Sequence, residues 1–244
     1  MVVGSVEKPA LIIGNGPSLN SFDPNCLDHV VSFGTNAIGQ LFPKWGRETN
    51  NVIIFDHRRI AEAKSIYKEF KGNLYIGNIH YIYPPYKATF KHVGRDFIPL
   101  RQLTWPAQNF IDSILMRFRL HSKLNRYLLN RNEMSFDSSK GFFVSSSVII
   151  PAIQLVASLG FKKILLTGVD ANYPSKTSYA TGIVSQQNPA PRMFDYNFRA
   201  DIEPLLVKLQ IYFESMGIDL IDCTPGGKLR FIKKGVLNME IGIY

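Results

Sequence analysis

Four stretches of the chain combine a tight backbone with hydroxyl, amide or carboxylate groups, the materials of an anion or nucleotide site. The first is LIIGNGPSL, Leu11 to Leu19, an apolar run that passes through Gly14, Asn15 and Gly16 into Pro17 and Ser18. A strand that turns on two glycines into a helix opened by proline aims backbone N–H groups and a positive dipole end at one point, which suits a phosphate. An ordinary tight strand-to-helix connection uses the same residues, so both readings stay open. The motif lacks the third glycine of the dinucleotide fingerprint and the Lys-Ser/Thr of a P-loop, which disfavours those two patterns.

The second stretch is FGTNAIGQLF, in which Asn36 follows an apolar run and so falls at the same sheet edge as the glycine turn. Its amide can both donate to and accept from a base or ribose, and it equally suits a turn or a cap. The third is VSSSVII, where Ser145, Ser146 and Ser147 precede the most apolar helical segment of the chain. Hydroxyls at a helix start cap it, and the same geometry holds ribose or phosphate oxygens. The fourth is KILLTGVDANYPSKTSYATG, where Gly168 and Asp170 end an apolar run and Tyr173 and Tyr179 follow in a polar loop. A carboxylate there lies where open α/β sheets bind ligands, and a phenol can donate to a phosphate oxygen or simply pack the loop.

These residues need a common edge, and the pattern of elements supplies one. Ala10–Gly14, Val30–Gly34, Asn51–Asp56, Asn73–Gly77, Lys163–Gly168 and Asp219–Cys223 read as strands alternating with helical stretches, the mark of βα units and a parallel sheet. Arg58–Phe70 reads as a surface helix burying Ile60, Ala63, Ile66, Tyr67 and Phe70, and Val148–Leu159 as a helix buried nearly all round. Ile202–Met216 carries Leu205, Leu206, Leu209, Phe213 and Met216 on one stripe and stops at Gly217. The expected architecture is α/β, a mostly parallel Rossmann-like sheet with helices on both faces, as one nucleotide-binding domain over residues 1–244. Residues 79–140 turn aromatic, basic and proline-containing and lose the strand signal, as an insertion does. Residues 171–198, with four Pro or Gly punctuating little periodicity, read as a mobile active-site lid.

Composition bounds the class. The chain has 244 residues, 45% hydrophobic and 19% charged, enough for one large core and no sign of disorder. No apolar stretch reaches the roughly 18 residues of a membrane span, and the N-terminus does not read as a signal peptide. Cys26 and Cys223 lie far apart, which fits a reducing, cytoplasmic compartment. The net charge of +9 attracts anions of every kind. Arg117, Arg119, Lys123, Arg126, Lys228, Arg230, Lys233 and Lys234 form either a solvated face or one suited to the inner membrane surface. Nucleic acid is disfavoured because no recognition fold or aromatic RNA motif accompanies them. His29, His57, His80, His92 and His121 show no metal-ligand spacing.

In this order, GNGPSL, the lone Asn36, the serine-rich helix start and LTGVD followed by SYA resemble glycosyltransferase family 42, the Campylobacter-type bacterial sialyltransferases that use CMP-activated sialic acid. The resemblance implies a GT-A-like fold and transfer from a CMP-sugar to a glycan or glycolipid acceptor, with no metal and no further cofactor. It implies that Gly14, Asn15, Gly16, Pro17, Ser18 and Asn36 contact the cytidine nucleotide, with Gly168 and Asp170 beside them. Ser145 to Ser147 would hold sugar or ribose, and Tyr173 and Tyr179 would hydrogen-bond the phosphate. It also implies cell-surface glycan or lipopolysaccharide biosynthesis and a homo-oligomer.

The chain departs from that family where a lid histidine should serve as general base: Pro189–Ile202 contains none. Asp195 and Tyr196 occupy the region, and Asp195 is the better base because a tyrosine titrates near about 10. Ser147 also stands where the family tends to have glycine. HVVSFGTNAI, TGVDANY and TPGGKLRF, Thr224 to Phe231, resemble instead the relatives of archaeal 6-hydroxymethylpterin diphosphokinase and of flagellin-modification proteins. That resemblance implies a magnesium-dependent pyrophosphate transferase, with Asp56 and Asp170 as candidate carboxylates, although Asp56 at a strand end suits a cap of the following helix better than a ligand. A catalytically silent nucleotide-binding relative is the third reading.

Overall fold

Along each central strand, successive side chains enter two different cores. Ala10 and Ile12 pack with Phe33, Ile53, Ile164, Leu166 and Leu220, while Leu11 and Ile13 pack with Val52, Ile54, Leu165 and Ile221. Alternation of this kind, apolar on both faces, is what a parallel sheet covered on both sides requires. The computed structural model describes residues 8–55, 57–78, 96–103, 134–139, 141–143, 147–171, 179–184 and 202–243.

The strands are β1 (Ala10–Ile13), β2 (Val31–Thr35), β3 (Asn51–Ile54), β4 (Asn73–Asn78), β5 (Ile98–Leu103), β6 (Phe142–Phe143), β7 (Lys163–Thr167), β8 (Asp219–Asp222) and β9 (Lys233–Lys234). They form one sheet in the order β6-β5-β4-β3-β2-β1-β7-β8-β9, and each described pairing is parallel. The chain runs outward from β1 to one edge, returns to place β7 against the other side of β1, and continues to the opposite edge. The fold is Rossmann-like, and β1/β7 is its topological switch point.

The described α-helices are α1 (Phe42–Trp45), α2 (His57–Ile66), α3 (Ile149–Ser158), α4 (Glu203–Ser215) and α5 (Leu237–Glu240). Side chains of α1 and α2 join the core containing Leu11 and Ile13, and those of α3 and α4 join the core containing Ala10 and Ile12. All six strands and all three long helices expected from the pattern are present, with boundaries shifted by at most four residues. In α3 every residue from Ile149 to Ala157 is buried. The one polar residue of that buried stretch, Gln154, donates from Nε2 to the Phe143 carbonyl at 2.9 Å and accepts at Oε1 from the N–H groups of Phe143 and Ser135, each at 3.2 Å. A buried amide left unpaired costs roughly 1–3 kcal/mol, so Gln154 holds β6 to the helix rather than merely tolerating burial.

Two expectations are corrected. Residues 98–103, inside the stretch read as strandless, form β5 alongside β4, with Ile76 opposite Pro99. Pro99 and Arg101 hid it, because proline and alternating polar residues are tolerated near a sheet edge, where Ile98 is 43% exposed. The other residues of 79–140, apart from 134–139, lie outside the described set. Met216 does not continue the buried stripe of Leu205, Leu206, Leu209 and Phe213: it is 42% exposed, because α4 has ended at Ser215.

Gly217, at φ +63, donates to Glu214 at 3.3 Å, and Ile218 donates to Phe213 at 2.8 Å, closing the helix and burying Ile218 against the same core as Phe213. A Cβ at position 217 meets nothing within 4 Å, so Gly217→Ala has only the backbone conformation to strain. It should lower the free energy of urea unfolding by about 1 kcal/mol, and Gly217→Asn by less.

Candidate functional site

The glycine turn after β1 is shaped by its neighbour across the sheet. Gly14 donates to the Thr167 carbonyl at 2.8 Å and Gly16 to the Gly168 carbonyl at 2.9 Å, extending the β1/β7 ladder past the ends of both strands. A Cβ on Gly14 would lie 2.3 Å from the Gly168 oxygen, and one on Gly16 would lie 1.8 Å from Asp170 Oδ2. The sequence suggests glycine for freedom to turn. The structure requires it for close approach, since Gly16 itself has an ordinary φ of −72°. Freedom of φ is used on the other side of the contact, at Gly168, where φ is +69°.

Pro17–Ser21 forms a single 3-10 turn, and its first free donors are already committed. The Ser18 N–H donates to Asp170 Oδ1 at 3.1 Å and the Ser18 hydroxyl to Asp170 Oδ2 at 2.8 Å. The carboxylate of the chain itself therefore sits at the turn that the motif offers to an external anion. Burial pushes the Asp170 carboxyl above its ordinary 3.8, against the two Ser18 hydrogen bonds that favour the charged form.

Beside this junction, Asn15 Nδ2 donates to the Thr35 carbonyl at 3.0 Å and to Thr35 Oγ1 at 3.1 Å, while that hydroxyl donates to the Ile13 carbonyl at 2.9 Å. Both acceptors fix the amide's orientation, leaving Asn15 Oδ1 enclosed and without a partner among the described residues. Asn36 takes a left-handed φ of +48°, which asparagine accepts more readily than most residues. Its carbonyl receives the hydroxyl of Tyr67 at 2.5 Å, and the same phenol accepts from the Gly39 N–H at 3.1 Å. Tyr67 is fully buried, which pushes its phenol up from the usual range. The apolar spacing of Arg58–Phe70 places Tyr67, just past the end of α2, in the core. Its hydroxyl had to find a partner there, and the partner is the turn carrying Asn36.

Residues 179–184, the described part of the stretch read as a lid, are tied across this edge. Ala180 donates to the Asn15 carbonyl at 2.9 Å, Thr181 to Asn20 Oδ1 at 2.8 Å and Val184 to Gln40 Oε1 at 2.7 Å. Buried Arg59 reaches the Val184 carbonyl at 3.1 Å, pairs with Glu62 at 2.6 Å and stands 6.0 Å from the centroid of the Tyr179 ring. Gln40, Arg59 and Tyr67 were not legible as site residues, since their partners lie tens of residues away in sequence.

The structure thus gathers Gly14, Asn15, Gly16, Pro17, Ser18, Asn36, Gly168, Asp170 and Tyr179 at the carboxyl ends of β1, β2 and β7. Ser147 stands just before α3, where its hydroxyl accepts from the Ile149 N–H at 3.3 Å; the N-cap itself is Val148, which makes no side-chain cap bond. Ser145, Ser146, Tyr173, Asp195, Tyr196 and Asp56 lie outside the described residues. Among the described residues, no group of three or more His, Cys, Asp or Glu is placed to hold a metal ion, and no helix is long and apolar enough to cross a membrane. Cys26 and Cys223 are unpaired and buried, and burial is the main cause that pushes both thiols up to about 12.

The chain matches no protein-family profile and no curated protein in sequence. Among solved structures it is similar to the MAf glycosyltransferase from Magnetospirillum magneticum AMB-1, with a TM-score of 0.52 and 12% identity over 95% of this chain. The chain spans about a third, 34%, of that protein. The likeness is one of fold alone.

Two outcomes follow from the geometry. Tyr67→Phe removes the donor to Asn36 and the acceptor for Gly39, so it should lower unfolding free energy by about 1–3 kcal/mol in a denaturant titration. A carboxyl whose folded pKa is raised adds stability below its unfolded value and loses it as pH rises through the folded value. The stability of the wild type relative to Asp170→Asn should therefore fall as pH rises from 3.8 and then level off. Urea unfolding at a series of pH values measures this, and a difference that rises over the same span would contradict it.

Proposed function

We propose that this chain is a glycosyltransferase that uses a CMP-activated sugar of the sialic acid type as donor and a glycan or glycolipid as acceptor. The observation that carries the reading is the meeting of the Gly14–Ser18 turn with Gly168–Asp170 at the switch point of the sheet, where open α/β folds bind their ligands. Asn36 and Tyr179 on the same edge, the resemblance of the motifs in order, and a glycosyltransferase-like fold support it.

In this reading the nucleotide lies over the end of β1, at the switch point of the sheet. CMP departs as a phosphate monoester anion, and the phenols of Tyr173 and Tyr179 donate to its oxygens, a role that needs no cation. Arg59 holds Tyr179 from one side and fixes where that phenol stands. Asp195 accepts the proton of the acceptor hydroxyl, with Tyr196 beside it, in place of a lid histidine. Residues 171–198 exclude water from a labile donor, anchored through 179–184. A second reading, a magnesium-dependent pyrophosphate transferase, draws on one observation: the Asp170 carboxylate stands at the edge where phosphates would lie.

Calorimetric titration with CMP, CDP, ATP and GTP, with and without magnesium, separates the two. CMP should bind without metal, and the double variant Tyr173→Phe with Tyr179→Phe should weaken it by roughly tenfold or more, the loss expected for hydrogen bonds to a charged group. No CMP binding, with magnesium-dependent ATP binding instead, would sink the sialyltransferase reading and favour the second.

A further inference from the structure

A cleft of about 600 Å³ opens at the same sheet edge, toward β8 and β9, and none of Asn15, Asn36 or Tyr179 lines it. Ser18 does, so the cleft begins one side chain away from the glycine turn. Its lip is the TPGG segment after β8, a motif that the nucleotide reading leaves without a role. Gly226 there has φ +67°, and a Cβ on Gly227 would lie 2.9 Å from that of Thr224, so this lip keeps its shape only with glycine. Phe22, Pro225 and Leu237 give the cleft apolar walls, and Ser18, Ser21, Asp23 and Asn238 bring polar groups to it.

The directions of those polar groups select the ligand. The Ser18 hydroxyl gives its proton to Asp170 at 2.8 Å and the Ser21 hydroxyl gives its proton to the Ser18 carbonyl at 3.1 Å. Both oxygens therefore face a ligand only as acceptors. Asp23 uses Oδ1 to accept from the Asn25 N–H at 2.9 Å, and a carboxylate offers further acceptor capacity on its second oxygen. The nearby cation, Lys234, is closed onto the Asp222 carboxylate, whose side chain is 0% exposed, and its other contact is the Gly227 carbonyl at 3.3 Å. Asp222 Oδ1 is held by the Thr224 N–H at 2.9 Å. A phosphate or carboxylate would bring more acceptors to the Ser18, Ser21 and Asp23 oxygens, beside an exposed carboxylate, while Lys234, the cation among the described lining residues, is already paired with Asp222. A neutral sugar brings hydroxyl donors and an apolar C–H face, which match the acceptors and the Phe22 side, and a pyranose is small enough for the space.

We propose that this cleft binds a neutral pyranose ring. That the ring belongs to the acceptor glycan rests on the glycosyl-transfer reading above; that the cleft takes a neutral sugar does not.

Saturation-transfer NMR on the full chain, with methyl β-galactopyranoside, methyl α-glucopyranoside and methyl N-acetylglucosaminide in turn, tests the assignment. At least one should show transfer to its ring protons, and galactose 6-phosphate should show less than its neutral counterpart. Asn238→Trp, at an exposed position on the cleft, should cut that transfer by about tenfold while calorimetric CMP affinity and circular dichroism stay as in the wild type. Transfer from none of the three neutral glycosides overturns the cleft assignment, and so does transfer that Asn238→Trp leaves undiminished. If CMP binds in those same samples, the nucleotide reading survives that result. Sugar transfer in a protein that binds no CMP leaves the cleft standing and removes the acceptor role.

Discussion

Everything at the functional edge depends on two backbones touching where side chains would normally keep them apart. β1 and β7 are paired from Ala10↔Ile164 to Ile13↔Thr167, and the ladder then continues through Gly14 and Gly16, beyond the strands themselves. Any Cβ on either glycine would collide with Gly168 or Asp170. With the backbones in contact, Asp170 reaches Ser18 through both carboxylate oxygens and closes the junction. The switch point of the sheet is thus a cross-braced joint, and the cost of drying a carboxylate is offset by hydrogen bonds that only this approach permits.

The joint sets the position of what surrounds it. Asn15, held between the two glycines, turns its amide onto Thr35 and its carbonyl toward Ala180, so one residue links β1 to β2 and to the 179–184 segment. Ser18 faces Asp170 with its donors and the β8 side with its remaining lone pairs. Each polar group is spent inward first, and what is left over defines the ligand that would fit. The same economy appears at Tyr67 and Gln154, buried polar side chains that each serve backbone groups of distant elements. Apolar packing would have filled both positions, but it would not have fixed the Asn36 turn or β6 in place.

The two faces of the sheet carry different helices, and the 179–184 segment and α5 return to the face of α1 and α2. Helices from the first half cover the core that includes Leu11, and α3 and α4 cover the other. Burial on both faces makes the central strands continuous apolar runs, whereas β5 and β9, toward the edges, carry proline, arginine or lysine and read as loops.

The sequence by itself determined the central strands, the three long helices and the candidate status of Gly14 to Ser18, Asn36, Gly168 and Asp170, because these depend on local period and local turn chemistry. It was nearly blind to β5 and β9, whose residues break the apolar pattern, and to β6, which at two residues is too short to show a period. It also gave the glycines a local reason, turning, when the reason is a contact with residues some 150 positions away, as the Ser18–Asp170 bond shows with its separation of 152. Only the tertiary structure decided that Asp170 would answer Ser18, that Tyr67 would carry Asn36, and that Ser18, Phe22 and the TPGG lip would enclose a cleft. Hydrogen-bond direction and close approach are properties of pairs, and such pairs exist only once the sheet has brought their members together.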